Sequence, residues 1–391
     1  MTFLSVPPHL DWPVQFCVFV SLETWVHSLV TGNVSQVDRL WTFLPTIYSA
    51  YFALLPLLPN EQPFWLVPYA PKELGYQAVK DLSPRAVLML ALIATWMCRL
   101  SYNTWRRGLF LSSEEDYRWE VLRQKLHPIL FQITNLTFIA FTQNILLLIL
   151  ALPVYTASVL QPHTALTTSD YGLAALSLVV LALEFTADNQ QFAFHAFKHA
   201  VQAEEKKNKS VTNGDSKPLG YDASAQWPGA RLNWQRSDAK RGFITRGLWR
   251  YSRHPNFACE QKFWHIMMLF PLLCSAPSYA MSTPATLPLP LPASFLFALP
   301  PAIRLIFPHI IPSLVISALF YSSTLFTESI TAAKYAGYKS YQRHVGMFEP
   351  FFSTIVLETL RSWFWVDKND NFREELWGNP TLTNDKTKKV D

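Results

Sequence analysis

The sequence is poor in charge and in glycine, and its cysteines show no paired spacing. Asp, Glu, Lys and Arg make up 16% of the 391 residues, against about 25% in typical soluble domains. Only 12 residues are glycine, and they form neither a GxGxxG motif nor a P-loop, so neither phosphate-cradling loop is present. The four cysteines lack the CxxC spacing of a zinc or redox site. We therefore interpret them as small hydrophobic residues.

Long apolar runs are what the chain has instead. No Asp, Glu, Lys or Arg occurs within Pro128–Ser169, Leu40–Asn60 or Leu305–Thr327. A helix that crosses a bilayer needs about 20 such residues, and each of these runs is long enough. The runs predict an all-α, polytopic membrane helix bundle. A large soluble core would instead need several unbroken apolar helices in one domain.

The apolar segments of the whole chain predict seven transmembrane helices. We place them at about Trp12–Val30, Leu40–Leu58, Pro84–Leu100, Ile129–Leu152, Tyr171–Phe194, Asn256–Cys274 and Leu305–Thr327. Lys and Arg cluster in 99–125, in 198–253 and from 334 onward. The positive-inside rule then predicts a lumenal N-terminus and a cytosolic C-terminus. An eighth helix within Leu287–Pro300 would break the alternation, but the prolines there favour a loop.

The same pattern predicts how the chain is divided. Residues 1–355 form the bundle, with 198–253 as an inserted basic cytosolic loop, and 356–391 form a cytosolic tail. Lys388 and Lys389 stand four and three places from the carboxyl end. They resemble the dilysine signal of endoplasmic reticulum proteins, so we expect a multi-pass protein of that membrane. The alternative is an ordinary lysine pair in a charged tail.

Polar residues inside the predicted spans suggest a cavity, because ionisable groups there usually face a pocket or a partner. Helical spacing places three sets on common faces: Glu184, Asp188, Gln191 and His195; Tyr321, Thr324, Glu328, Thr331 and Tyr335; and Arg99, Asn103 and Arg107. Asp38 and Arg39, one turn from Trp41, form a fourth polar patch. We expect one polar cavity open to the cytosol. As alternatives, the arginines snorkel to headgroups, Glu184 or Asp188 pairs with Arg99 or Arg39, or Glu328 pairs with Lys334.

The basic turn Arg246–His254 runs into Pro255, which suits the first turn of a helix because its missing N–H has no partner there. A helix N-terminus favours anions. Arg246, Arg250 and Arg253 could clamp phosphate groups. Alternatively, these three arginines form a basic stripe that contacts anionic lipid headgroups and not a cofactor. Only the positive net charge would favour nucleic-acid binding, so we do not expect it. The sequence does not indicate which proteins, if any, bind to this chain.

Five segments in order resemble a known family. They are NVSQVDRLW (33–41), RLSYNTWRRG (99–108) with EDYRWEVLR (115–123), EFTADNQQF (184–192), GLWRYSRHPN..CE (247–260) and LFYSSTLFTESITAAKYAGYKSYQRHV (319–345). Together, over about 30–355, they resemble membrane proteins related to the C-terminal domain of steroid 5α-reductases. That superfamily also holds sterol C14-reductases and isoprenylcysteine carboxyl methyltransferases. The part most like the reductases spans 247–355.

The resemblance implies a helical bundle with a cofactor pocket open to the cytosol. The reductases use NADPH and the methyltransferases use S-adenosylmethionine. The shared RHPN turn and the following acid fall here on Arg253, His254, Pro255, Asn256 and Glu260, with Tyr335, Tyr338 and Tyr341 in the C-terminal part. The N-terminal half holds no clear copy of the reductases' substrate-end Glu/Tyr pair.

We therefore expect an integral membrane oxidoreductase that uses NADPH to reduce a C=C bond in a lipid-like or steroid-like substrate. Two alternatives stay open: an S-adenosylmethionine-dependent membrane methyltransferase, and a non-catalytic lipid-binding protein. We expect no bound metal. The candidate catalytic residues are Glu184, Asp188, Tyr251 and Glu260. The candidate cofactor-binding residues are Arg246, Arg250, Arg253, His254, Asn256, Glu328, Tyr335, Tyr341, Arg99 and Asn103.

Overall fold

The computed structural model describes residues 7–76, 78–207, 218, 220–273, 301–349, 354, 356 and 360. Within those ranges all regular structure is helical and no strand occurs, which confirms the all-α prediction. The helices are α1 (Pro8–Thr31), α2 (Gln36–Leu40), α3 (Leu44–Ala53), α4 (Pro84–Arg106), α5 (Tyr117–Lys125), α6 (Pro128–Leu160), α7 (Thr168–Lys207), α8 (Arg236–Arg241), α9 (Pro255–Leu273), α10 (Pro301–Lys334) and α11 (Tyr338–His344).

Prolines and capping residues mark where these helices begin. Ser83 accepts a hydrogen bond from the N–H of Ala86 and is followed by Pro84, so α4 starts with both N-terminal signals. Pro255 opens α9, which confirms the prediction from the basic turn. The run α6 contains two π-helical stretches, Asn135–Thr142 and Thr156–Leu160.

Five helices are long and apolar enough to cross a membrane. They are α1, α4, α6, α7 and the Ile310–Lys334 part of α10. These agree with five of the seven predicted spans and support a multi-pass membrane protein. The count of seven is not confirmed. The predicted loop over 275–303, the possible eighth helix and the dilysine lysines lie largely or wholly outside the described residues.

The remaining two predicted spans differ from the other five. Over 40–58 the continuous helix is only α3, ten residues from Leu44 to Ala53, which is about 15 Å long and too short to cross the ~30 Å hydrocarbon core. Pro45 lies in its first turn and Pro56 in the 3₁₀ turn that follows. The predicted sixth span corresponds to the 19-residue helix α9, which is not among the five helices apolar enough to cross a membrane. Its polar stretch Glu260–Lys262 makes it less apolar than the five.

The chain divides into two compact units. Unit 1 comprises 1–179 and 261–319, and unit 2 comprises 180–260 and 320–391.

Helix α1 of unit 1 meets α6 along a polar seam. Asn135 donates to the hydroxyl of Ser28 at 2.8 Å, and Asn144 donates to the hydroxyl of Thr24 at 3.3 Å. A buried ion pair joins the start of α4 to the start of α7, with Arg85 Nε 2.8 Å from Asp170 Oδ1. These donors find their acceptors inside the protein because lipid offers no hydrogen bonds.

The first two motifs of the sequence bind each other within unit 1. Arg39 donates to the carbonyl of Glu114 at 2.6 Å, and the indole of Trp119 donates to Asp38 at 2.8 Å. The backbone N–H of Val34 donates to Glu115 at 2.9 Å. Asp38 and Arg39 therefore join α2 to the segment from Glu114 to Trp119, which gives both residues a structural role.

In unit 2 the chain from α8 to α9 runs antiparallel to α7. Four contacts show the order, from the far end of α7 inward: Glu204 with Arg236, Lys198 with Gly242, Gln190 with Leu248, and Asp188 with Asn256. The predicted basic loop 198–253 is thus partly helical and packed along α7. An apolar cluster that includes Phe194, Phe197, Trp234 and Trp249 lies beneath it.

Candidate functional site

A single buried carboxylate gathers the polar groups of unit 2. Glu328 on α10 is 3% exposed. Four side chains donate to it. They are Arg253 (2.6 and 3.0 Å), His254 (2.9 Å), Gln342 (2.8 Å) and Tyr338 (3.2 Å). Such convergence of donors stabilises an ionised carboxylate inside a protein.

The guanidinium of Arg253 uses most of its hydrogen-bond donors within the protein. Its Nε and Nη2 both bond to Glu328, and its Nη1 donates to the carbonyls of Gln342, at 3.2 Å, and Val345. A fork-shaped group used bidentately for a carboxylate cannot offer the same pair of donors to a phosphate. The structure therefore gives Arg253 an internal partner where the sequence suggested a phosphate clamp.

His254 lies beside the same carboxylate and is 8% exposed. Burial lowers the pKa of His254 below its ordinary value, and it outweighs the hydrogen bond and charge of Glu328, which act in the opposite direction. The neutral ring donates from Nε2 to Glu328, which fixes its tautomer.

The C-terminal segment holds the basic turn in place. The N–H groups of Arg253 and His254 donate to the carbonyls of Gly346 and Met347, at 2.9 and 3.0 Å. The hydroxyl of Tyr341 donates to the carbonyl of Trp249. Burial raises the pKa of Tyr341, so it stays a neutral donor. The RHPN turn and the tyrosine-rich segment are therefore one structural piece, although they lie far apart in the sequence.

The start of the same turn is fixed by Gln190 and Asp238. Gln190 accepts from the N–H of Leu248 at 2.9 Å and donates to the carbonyl of Gly229 at 3.0 Å. Asp238 pairs with Arg246 at 2.6 Å and with Arg241. Gly247 has φ +65°, and a Cβ there would lie 2.5 Å from the Gln190 amide, so a side chain at this position would strain the backbone and displace Gln190.

A group of buried acids lies where α7 and α9 meet. Asn256 donates to Asp188 at 3.1 Å, and its own Oδ1 is buried with no hydrogen-bond partner in the described part of the chain. Glu184 lies one turn from Asp188 and Glu260 one turn from Asn256. Because the two segments run antiparallel, these two acids extend the cluster in the same direction. All three acids are at most 4% exposed.

The structure brings some predicted site residues together and separates others. Glu184, Asp188, Glu260 and Asn256 share one cluster, and Arg253, His254, Glu328 and Tyr341 share another, both in unit 2. Arg246 pairs with Asp238 instead, Arg250 is exposed, and the side chain of Tyr251 is 47% exposed. Tyr335 bonds to Lys198 at 2.9 Å.

Two predicted cofactor residues belong to the other unit. Arg99 is buried in unit 1, and Asn103 accepts from Arg106 at 2.8 Å on the next turn of the same helix. On α7 the predicted polar face holds only in part, because Glu184 and Asp188 are buried whereas His195 is exposed.

Sequence reasoning missed Gln190, Asp238 and Gln342. Asp238 was hidden among the twelve basic residues of 198–253, although it is one of only five acids there. Gln342 follows Glu328 by 14 residues across a helix break, so periodicity along one helix could not reveal the contact.

A family profile described as "Protein of unknown function (DUF1295)" matches residues 24–290. An uncharacterized protein of Schizosaccharomyces pombe, C594.04c, is 28% identical over 327 residues, which cover 83% of this chain and 75% of that protein. No solved structure matches the chain.

Proposed function

Since the chain belongs to the DUF1295 family of proteins of unknown function, we propose its function from unit 2 itself: an NADPH-dependent reductase of a C=C bond in a lipid-like substrate. The observation that carries the proposal is the buried Oδ1 of Asn256, which has no hydrogen-bond partner among the described residues and lies among three buried acids. The motif resemblance to the steroid 5α-reductase superfamily supports the reaction class. That resemblance is a fold-level argument for chemistry.

The acid cluster fits the neutral part of a nucleotide cofactor. A buried acceptor without a donor costs free energy, of the order of 1–3 kcal/mol. Ribose hydroxyls and a carboxamide NH₂ carry the donors that Asn256 and Asp188 would accept. These two residues would therefore hold such groups, with Glu184 and Glu260 one turn further along.

The phosphates of the cofactor need a different set of residues from the one expected. Arg253 and Arg246 are engaged by Glu328 and Asp238. We therefore assign Arg253, His254 and Glu328 to positioning the turn from which Asn256 projects. Arg250 is exposed, so a soluble anion could reach it.

Bound NADPH would supply a hydride to the activated C=C bond. The protein's own part is to deliver the proton to the other carbon of that bond and to stabilise the enolate. Among the buried carboxylic acids Glu184, Asp188 and Glu260, one would hold that proton. Tyr251 is half exposed and is the weaker candidate.

One observation favours the methyltransferase as a second candidate. With Arg253 engaged by Glu328, the three-arginine clamp no longer distinguishes a phosphate-rich cofactor from S-adenosylmethionine. The acid cluster suits the ribose of either cofactor. A binding measurement with each cofactor distinguishes the reductase from the methyltransferase.

Thermal unfolding of the purified full chain with each cofactor tests both candidates. A cofactor at a hundredfold excess over its Kd adds about 2.7 kcal/mol to the free energy of unfolding. We expect stabilisation by NADPH and not by S-adenosylmethionine. The reverse result would establish the methyltransferase. No response to either cofactor would reject the reductase and favour a non-catalytic lipid-binding protein.

The substrate requires a cellular measurement. Lipid profiling of cells that lack the protein should show one unsaturated lipid accumulating, and re-expression of the parent chain should remove it. Re-expression of Asp188→Asn should not. We also propose the endoplasmic reticulum membrane as the location, which fluorescence microscopy of the tagged full chain would check.

A further inference from the structure

A second cationic centre in unit 2 takes no part in the site described above. Lys198 on α7 is 9% exposed, and its ammonium donates to the carbonyl of Gly242 at 2.8 Å and to the hydroxyl of Tyr335 at 2.9 Å. Lys334 approaches the same tyrosine from the end of α10. The two ammonium nitrogens lie 5.2 and 5.5 Å from the centroid of the Tyr335 ring.

These two charges are not balanced by an acid. Among the described residues, no carboxylate lies within 4.0 Å of the ammonium of Lys198 or Lys334. The charge of Lys198 is buried and costly unless it is paired, whereas the charge of Lys334 is exposed. The carbonyl of Gly242 ends the short helix α8 and offers only a partial negative charge. Capping of α8 therefore accounts for one hydrogen bond of Lys198. It does not account for the approach of Lys334 to the Tyr335 ring.

The phenol between the two lysines is held rigidly. Gly242 has φ +90°, and a Cβ at this position would overlap the Tyr335 ring. The ring therefore rests directly against the glycine backbone. Burial would raise the pKa of Tyr335, but the hydrogen bond and charge of Lys198 and the charge of Lys334 outweigh it and lower the pKa. The surroundings of the hydroxyl thus favour negative charge.

We propose that Lys198, Lys334 and the Tyr335 hydroxyl form a binding site for a phosphate group. Two ammonium groups and one hydroxyl offer the donors that a phosphate monoester accepts, and its charge would balance both lysines. This site stands or falls independently of the proposed reductase activity.

The position of the site admits two sources of phosphate. Lys334 is the last residue of a helix apolar enough to cross a membrane, so the headgroup of an anionic lipid such as phosphatidic acid could reach it. A soluble phosphate ester is the other source. Both offer the same chemistry, and the experiment separates them.

Binding of radiolabelled inorganic phosphate to the full chain in phosphatidylcholine nanodiscs tests the soluble source at fixed ionic strength. We expect saturable binding that weakens at least about tenfold in Lys198→Met and Lys334→Gln. Tyr335→Phe should weaken it less. Lys339→Gln, which removes another exposed lysine nearby in the sequence, is the matched control and should bind like the parent.

The lipid source is tested by native mass spectrometry of the chain purified from membranes that contain phosphatidic acid. Retention of that lipid by the parent and by Lys339→Gln, but not by Lys334→Gln, assigns the site to a headgroup. If Lys198→Met does not fold, the exposed Lys334 position decides the result. Phosphate and lipid binding that are both absent, or both unchanged in Lys334→Gln, would overturn the proposal.

Discussion

The two units use arginine and carboxylate pairs in different ways. In unit 1, Arg123 and Glu115 are 38% and 19% exposed as side chains, whereas in unit 2 Arg253 and Glu328 are 8% and 3% exposed. Both pairs hold a loop in place. The difference is burial, which makes the loss of one partner far more costly in unit 2.

Their unpartnered amides differ as well. Asn144 in unit 1 and Asn256 in unit 2 each have a buried Oδ1 without a hydrogen-bond partner in the described residues. Asn144 donates to the neutral hydroxyl of Thr24, whereas Asn256 donates to the carboxyl group of Asp188. The seam of unit 1 is suited to joining helices, and the cluster of unit 2 has the charge that binding or catalysis requires.

Removing the central carboxylate of unit 2 should have the largest effect on stability. Glu328→Gln leaves Arg253 buried without its counter-charge, so we expect the free energy of unfolding to fall by about 3–5 kcal/mol. The matched change Glu115→Gln in unit 1 should cost about 0–1 kcal/mol. Chemical denaturation of the detergent-solubilised variants measures both. Equal losses would show that burial does not distinguish the two pairs.

Two glycines with similar backbone angles provide the next test. Gly247 has φ +65° and would place a Cβ 2.5 Å from Gln190, whereas Gly32 has φ +70° and no atom within 4 Å of that position. Gly32→Ala should cost only the left-handed strain, about 1–2 kcal/mol. Gly247→Ala adds overpacking of about 1–3 kcal/mol. The same denaturation assay applies, and a cost for Gly247→Ala no greater than for Gly32→Ala would contradict the close approach of Gln190.

The fold class could be predicted from the sequence because an uncharged run long enough to span the bilayer reports a membrane helix directly. The proline after the basic turn located the start of α9 at Pro255, and the apolar signal located five of the helices. The apolar signal failed over 40–58, where Pro45 and Pro56 restrict the helix to ten residues. The length of an apolar run shows how many residues could span a membrane, but it does not show where a helix ends within the run.

The candidate site was predicted only in part, for a physical reason. Helical spacing grouped Glu184 with Asp188, which are both buried on α7, whereas Asn256 and Glu260 were grouped by the motif resemblance. Helical spacing could not foresee that Arg253 bonds to Glu328, 75 residues away, and so is not free for a phosphate. Partners brought together by tertiary packing leave no periodic signal in the sequence.

The comparison of amides predicts a difference in cofactor binding rather than in stability. Asn256→Ala removes an acceptor and a donor from the acid cluster, so NADPH affinity should fall about tenfold, which is the loss of one hydrogen bond. Asn144→Ala in the unit 1 seam should leave the Kd unchanged. Fluorescence titration with NADPH measures both variants. Equal affinities for Asn256→Ala and the parent would remove Asn256 from the proposed site.

The smallest effect should come from two neighbouring acids of unit 1. Burial raises the pKa of Asp38 and the charge of Asp116 adds to this, whereas the hydrogen bonds and charge of Arg118 outweigh burial and lower the pKa of Asp116. Asp38 with a raised pKa stabilises the fold most when protonated, and that contribution is lost as the pH rises through its folded-state pKa. Asp116 behaves in the opposite way.

Asp38→Asn should therefore gain stability relative to the parent at neutral pH, and the gain should vanish as the pH falls and Asp38 takes up its proton. The asparagine still accepts from the indole of Trp119, so the hydrogen bond of that residue is kept. Asp116→Asn should lose stability at neutral pH because it discards the pair with Arg118. Unfolding free energies of the three chains across the acidic to neutral range decide it, and a gain for both variants at neutral pH would mean that Arg118 does not stabilise the ionised form of Asp116.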